Sequence, residues 1–303
     1  MIRGIDFYQD CFDSIRASAH IDIRYGEVSL RQGTASSPSS LLLDGEPLEW
    51  EGQPLIFSSI PFPYTRKPGE YLLLQHFKGW VVQTRDPVFD ASTATLMDFD
   101  LSQQHGTTFA YWLPLSPTRA LVEYTVFSES LLDETRYEQG LRDLMNSRFG
   151  GIAYQVIESE FGVIPMTNHQ FPPYKDGIYY IGTAGGQTKA STGYTFQFIQ
   201  RQSDHIIHTL LQGKIPDREK RKPDRFHFYD STLLHILSRD KMEGRQIFTR
   251  LFQRNPASRI FRFLDNQTSL WQELRLLNTL PKWVFLKAGM AELGRLIFNR
   301  KKS

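Results

Sequence analysis

A glutamate set into an apolar, strand-like run is the first residue in this chain whose type and setting could do chemistry. Glu123 lies in residues 119–127, where a period of two puts Leu121, Glu123, Thr125 and Phe127 on one face and Val122, Tyr124 and Val126 on the other. Burial among apolar neighbours raises a carboxyl pKa and keeps the proton on near neutrality, the state a general acid needs. The alternative is an edge-strand glutamate facing water. Asp98, in residues 96–100, makes a similar case on a neighbouring strand, so two carboxyls are expected to converge on one sheet face. His205 and His208 stand three apart with Asp204 beside them. A metal site wants further ligands, so they are read as surface histidines and no metal is assigned.

A glycine-rich loop, residues 182–194, follows a short apolar run and precedes a helical pattern. Backbone N–H groups near a helix start could donate to a phosphate or to the pyrimidine edge of a flavin, and Gly182, Gly185, Gly186 and Gly193 would let a ligand approach closely. The spacing is not the dinucleotide fingerprint G-x-G-x-x-G, and a purely structural turn explains the glycines equally well. Aromatic side chains crowd the region before the loop, among them Trp80, Phe99, Tyr111, Trp112 and Phe127. Core packing accounts for most; their density also leaves room for an apolar pocket whose π faces could stabilise a cation.

Residues 7–19 carry Phe7, Cys11, Phe12 and Ile15 at helical spacing, and residues 20–25 and 27–32 alternate like strands before a Ser/Pro-rich loop at 34–40. Strands are expected at 71–76, 79–84, 94–99, 107–113 and 120–127, with the last two joined in an antiparallel hairpin at Ser116–Arg119, where Pro117 is pre-set for the turn. A helix over 134–147, an extended segment at 162–166, a short buried strand at 178–182 and a helix after the loop come next. The charged, proline-bounded run 214–225 reads as an exposed linker, and the remainder is helical over 231–239, 244–253, 256–264, 269–280 and 283–299.

Composition narrows the function. The 303 residues hold 35 Lys+Arg and 33 Asp+Glu, a net charge of +2 that gives no reason to expect a nucleic-acid partner. With 40% hydrophobic residues, 21 Gly and 16 Pro the chain is globular, and its single cysteine, Cys11, excludes an internal disulfide and fits a reducing compartment. No apolar run reaches the roughly 18 residues a spanning helix needs.

Taken together, these segments resemble the flavin-dependent lycopene cyclases of carotenoid biosynthesis. Leu96-Met97-Asp98-Phe99 resembles the family's Met-Asp-aromatic element, residues 109–119 its aromatic-Leu-Pro hairpin, Leu121-Val122-Glu123-Tyr124-Thr125 its Leu-Glu-acidic-Thr motif, and residues 162–167 a further extended element. The loop ending in Thr192-Gly193-Tyr194 resembles the second flavin-contact segment, and the likeness runs from Ile5 to about Ala288. Three departures stand out. The family's first strand and G-x-G-x-x-G loop have no counterpart here, so the chain is expected to be truncated at its start; Tyr124 replaces a second acidic residue; and Thr183 stands where many relatives have Asp.

The resemblance implies an α/β (α+β) fold: an incomplete FAD-binding Rossmann-like domain, an antiparallel β-sheet substrate domain and a helical C-terminal region, divided as residues 1–65, 66–150, 151–213 and 214–303. It implies redox-neutral, acid-catalysed cyclisation of linear lycopene to β-ionone rings, an intramolecular lyase or isomerase activity. Glu123 would be the acid with Asp98 in support. FAD, reduced and not consumed, would be held by Gly182, Gly185, Gly186, Thr192, Gly193 and Tyr194, and lycopene would lie against Trp80, Phe99, Tyr111, Trp112 and Phe127. The tail from Trp283 to Lys302, apolar residues interleaved with basic ones, could lie on a membrane surface, so a cytoplasmic protein peripherally associated with the inner membrane is expected. A flavin monooxygenase of the same broad fold and a non-catalytic carotenoid-binding subunit are the competing readings.

Overall fold

The structure, a computed structural model, describes residues 3–31, 40–50, 52, 54–60, 66–219 and 224–300. Most of the Ser/Pro-rich loop at 34–40, residues 220–223 of the charged run, Lys301, Lys302 and the side chains of Ile297, Phe298 and Arg300 lie outside the described residues. Contacts divide the chain into two units, one of residues 1–56 with 176–178, the other of residues 57–175 with 179–303.

The smaller unit opens with helix α1 (Gly4–Arg16), none of whose residues is buried. Strands β1 (Val28–Arg31), β2 (Ser40–Leu43) and β3 (Glu46–Pro47) then form an antiparallel sheet in that order. Asp44-Gly45, both at positive φ (53° and 86°), turns β2 into β3, the backbone that a two-residue hairpin requires. The Asp44 carboxylate accepts from Glu27 N at 2.7 Å and so fixes where the β1–β2 ladder begins. Residues 20–25, expected as a strand, pair with nothing and form none. Alternation alone does not make a strand without a neighbour to bond.

The chain passes into the larger unit within β4 (Ile56–Ser58) and continues into β5 (Leu72–Thr84), one continuous strand where two were expected. It continues through β6 (Thr95–Asp98), β7 (Thr107–Ser116), β8 (Arg119–Ser128), helix α2 (Glu134–Phe149) and β9 (Tyr154–Thr167). The sheet order is β6-β7-β8-β5-β9, antiparallel throughout, with the expected hairpin closed at Ser116↔Arg119. Beyond it come β10 (Tyr174–Lys175) and β11 (Ile178–Tyr180), ordered β10-β11-β4, a 3-10 turn over Gly182–Gly185, and helices α3 (Phe196–Leu211), α4 (Arg225–Ser238), α5 (Gly244–Arg254), α6 (Ala257–Leu264), α7 (Leu270–Leu277) and α8 (Lys282–Arg300).

Register explains how this sheet buries both faces. Val122, Tyr124 and Val126 of β8 stand opposite Trp112, Ala110 and Thr108 of β7 and Trp80, Lys78 and His76 of β5. Most of this face packs under α2 through Tyr137, Leu141, Leu144 and Met145. On the other face Phe109, Tyr111 and Phe127 join Phe99 and Met166 and pack with α4, α5 and α8. The strand β9 is an edge, and Val156, Ile157, Phe161 and Val163 on it are exposed. The charged run before α4 is not purely a solvated linker. Pro216 is buried, Arg218 donates to the Tyr179 hydroxyl at 3.0 Å, and Asp224 caps α4 by accepting from His227 N.

Candidate active site

Glu123 sits in the middle of the sheet, because β8 has β7 on one side and β5 on the other. The edge-strand alternative is thereby overturned. Its register neighbours are Tyr111 on β7 and Gly79 on β5, and Gly79 in turn pairs with Glu160 on β9. The two glutamates therefore flank a residue with no side chain. A Cβ at Gly79 would lie 2.8 Å from Glu160 Oε1 and 3.1 Å from Glu123 Cγ, so the carboxyls occupy the space that glycine leaves and hydrogen-bond to one another. Burial pushes the Glu123 pKa up to about 8, and the hydrogen bond to Glu160 and its negative charge add to the rise. This is the environment that keeps a carboxyl protonated at neutral pH.

Beside it, burial pushes the Tyr111 phenol well above its ordinary range, with Tyr194 and Glu123 adding to the effect. Tyr194 lies near enough to Tyr111 to raise its pKa, which places the end of the glycine-rich loop on the sheet face that carries Glu123. Gly193, at φ 70°, is the residue that lets the loop come so close: a Cβ there would meet Gln75 Oε1 at 2.6 Å and Ile164 Cγ2 at 3.1 Å. Lys189, buried, anchors the same loop to α4 through Asp230 (2.9 Å), and Ser191 Oγ donates to Asp230 Oδ1 at 2.7 Å.

Most of the amides expected to face a ligand are used inside the protein. Gly182 N donates to Gln202 Oε1, Gly185 N to Ile181 O and Gly186 N to Thr183 O, while Thr192 N and Gly193 N both donate to Lys189 O. The turn consumes its own donors, so these five N–H groups are not the phosphate cradle the sequence suggested. Left over are buried side-chain atoms with no partner, Thr192 Oγ1, Gln75 Oε1 and Thr125 Oγ1, the last two on the Glu123 face. A buried polar atom without a partner is costly. These three fit a ligand with a hydrogen-bonding ring edge, as a flavin has, better than one bound by diphosphate.

The remaining expected residues separate by face. Phe99, Tyr111 and Phe127 share the Glu123 side, with Phe109 between them at ring separations of 5.1 to 5.5 Å. Trp80 and Trp112 lie on the opposite face in the α2 cluster. Asp98 is not brought to Glu123 either. Thr95 pairs with Trp112 and Asp98 with Ala110, so β6 spends three steps where β7 spends two, and Met97 takes φ 54° in the resulting bulge. The bulge turns Asp98 to the Trp112 side, where it accepts from Trp112 Nε1 and Arg148, both at 3.2 Å. Its place beside Glu123 is taken by Glu160, which the sequence reading missed. That reading began the strand at Gly162; carried back to Tyr154, the same alternation puts Glu160 in phase with Gly162 and Ile164.

His205 and His208 lie on α3, with His205 3.6 Å from Asp217. Among the described residues no cluster of His, Cys, Asp and Glu is placed to hold a metal ion.

Comparison with known proteins adds a family to this geometry. The family model described as "Lycopene cyclase protein" matches residues 37–289. A lycopene beta-cyclase of Paracoccus sp. (strain N81106 / MBIC 01143) is 26% identical over 237 residues, covering 71% of this chain and 59% of that protein. One of Pseudescherichia vulneris is 25% identical over 221 residues, covering 68% and 56%. The chain thus spans somewhat over half the length of these relatives. Among solved structures, a geranylgeranyl bacteriochlorophyll reductase-like protein from Thermoplasma acidophilum matches with a TM-score of 0.52 at 13% identity, over 93% of this chain and 73% of that one, a likeness of fold.

Proposed function

The chain belongs to the lycopene cyclase family, and from that premise we propose that it closes the ends of linear lycopene into β-ionone rings, with Glu123 as the acid. The observation that carries the reading is the Glu123–Glu160 pair across Gly79, a carboxyl whose pKa is raised to about 8 beside aromatic and apolar side chains. In the proposed reaction the Glu123 O–H bond breaks as its proton forms a C–H bond at the terminal double bond. The cation left behind is attacked by a neighbouring alkene, closing the ring, and loss of a ring proton to the carboxylate pair restores the acid. No electrons are gained or lost, so the step is an isomerisation.

Each neighbour has a part in that sequence. Tyr111, beside Tyr194, presents an electron-rich ring near the developing cation, and Phe99 and Phe127 extend the apolar wall. Trp80 and Trp112, on the far face, and Asp98, paired with Arg148, have no direct part in this proposal. FAD in its reduced form, when bound, supplies negative charge that stabilises the cation. Thr192, with its unpartnered hydroxyl, and Tyr194 would contact it, while Gly182, Gly185, Gly186 and Gly193 shape the turn against which it would rest. In the same proposal residues 1–65 and 151–213 belong to the flavin-binding part, 66–150 carry the substrate sheet and 214–303 form a helical cover.

No helix among the described residues is long and apolar enough to cross a membrane. Peripheral attachment to the cytoplasmic side of the inner membrane is proposed from α7 and α8, whose Trp271, Leu274, Trp283, Leu286, Met290 and Leu293 are exposed. Flanking Lys282 and Lys287 suit an anionic surface.

The test is expression of the chain, and of any longer reading frame that contains it, in lycopene-accumulating bacteria with carotenoids separated by chromatography. Cyclic products that disappear in the Glu123→Gln variant are expected. Undiminished cyclisation by that variant would remove Glu123 from the acid role, and good expression without cyclic product in either length would remove the cyclase reading. Flavin-dependent hydroxylation of a substrate with NADPH consumption would instead favour a monooxygenase.

A further inference from the structure

Helices α4, α5, α7 and α8 leave a cavity of about 370 Å³ between them, within the size range of small-molecule sites. Its walls include Phe228, Leu233, Phe248, Leu251, Phe285 and Gly289. Apart from Lys282 at the surface, the polar groups on the lining are already engaged: Asp230 by Lys189 and Ser191, the Tyr229 hydroxyl by Glu273 at 3.1 Å, and the Thr232 hydroxyl by Phe228 O at 2.8 Å. Inside Lys282 the walls are apolar or already satisfied, so they complement an apolar occupant.

The cavity also has a direction. Of its lining residues only Lys282 and Leu286, on the first turns of α8, are exposed, so it opens there, beside the exposed ring of Trp283. Ser191 and Phe248 are among its buried lining residues. Ser191 immediately precedes the Thr192–Tyr194 turn, and Phe248 stacks on Phe99 at 6.0 Å and meets Phe127 edge-on at 6.2 Å. The hollow therefore lies between an apolar surface stripe and the sheet face that carries Glu123.

We infer that this cavity binds one arm of a linear polyene hydrocarbon, admitted at Lys282 and Leu286 and directed toward the Phe99–Phe127 cluster. The identity of the chain rests on the cyclase reading; the apolar site itself does not. Gly289 provides the means to close it. A Cβ there would meet Phe228 Cζ at 3.5 Å, ordinary contact, so a larger side chain can be carried by the helix while filling the space beyond. Replacing an interior helical glycine also favours the helix.

The probe is cis-parinaric acid, a conjugated C18 polyene whose fluorescence rises in apolar surroundings, titrated into the full chain. Saturable binding is expected, retained by Gly289→Ala and weakened at least tenfold by Gly289→Leu, with the circular dichroism spectrum unchanged. Leu233→Phe fills the hollow from α4 and is expected to give the same loss, so that failure of one variant to fold does not spare the inference. Binding by both enlarged variants as tight as that of the unaltered chain would overturn it. Cyclisation of lycopene at an unaltered rate by both enlarged variants would overturn the cavity while the cyclase reading stood; parinaric acid binding that both variants block, without cyclisation by the unaltered chain, would leave the cavity and remove the cyclase.

Discussion

Replacing Glu123 by Gln should change how stability depends on pH, whatever the reaction is. In the fold the carboxyl titrates near 8, against an ordinary value of 4.5. Below about 4.5 folded and unfolded chains are both protonated, and the group is neutral to stability. Between 4.5 and 8 the unfolded chain has given up a proton that the folded one retains, so stability falls as pH rises, and the loss is complete above about 8. At about 1.4 kcal/mol for each pH unit the bound is about 5 kcal/mol. Glu160 is exposed and the pair reaches solvent, so screening lowers the expected figure to about 2–3 kcal/mol. Gln keeps the shape and cannot ionise. Urea unfolding of both proteins at pH 5, 7 and 9 should therefore give a stability difference, variant minus unaltered, that grows by about 2–3 kcal/mol in favour of the variant and levels off above pH 8. A difference that is flat across this range, or that grows toward acid, refutes the claim that Glu123 carries its proton at neutrality.

Glu160→Gln removes the neighbouring charge but leaves the burial, so Glu123 should titrate below 8 yet above 4.5. A high-pH limb of cyclisation moved toward acid by about one unit is the expected sign, and a limb that stays in place would mean that Glu160 does not act on Glu123. Gly193→Ala puts a methyl 2.6 Å from Gln75 Oε1 at a backbone φ of 70°. It should cost about 1–3 kcal/mol and lift the loop, read as a lowered melting temperature; an unchanged melting temperature would count against the close packing.

Much of the scaffold was legible because its signals are local. Pro117 fixes a turn, and period-two alternation sorted Leu121, Glu123, Thr125 and Phe127 from Val122, Tyr124 and Val126 as the register later does. What escaped depends on partners far along the chain. Whether Glu123 is central or at an edge is decided by β5 slotting between β8 and β9, which no feature of residues 119–128 announces. Asp98 was expected beside Glu123 only because it lies on a neighbouring strand, and the inserted residue at Met97 turns it to the other face. Glycines in the 182–194 loop predicted a turn but could not reveal that the turn would use most of its own amides, leaving a threonine hydroxyl as the unmet group.

The uncovered strand β9 has a consequence for behaviour in concentrated solution. Its 14 residues form one border of the sheet, with Val156, Ile157, Phe161 and Val163 exposed along it, a row onto which a second copy could add a strand. Glu158 and Glu160 interrupt that row. In an antiparallel pairing of two such borders the carboxylates would come close to their counterparts, and like charges set opposite one another oppose the ladder. Glu160 thus serves twice, once toward Glu123 across the sheet and once toward neighbouring molecules, so replacing Glu158 and Glu160 together by glutamine should bring on strand-mediated self-association, read by light scattering.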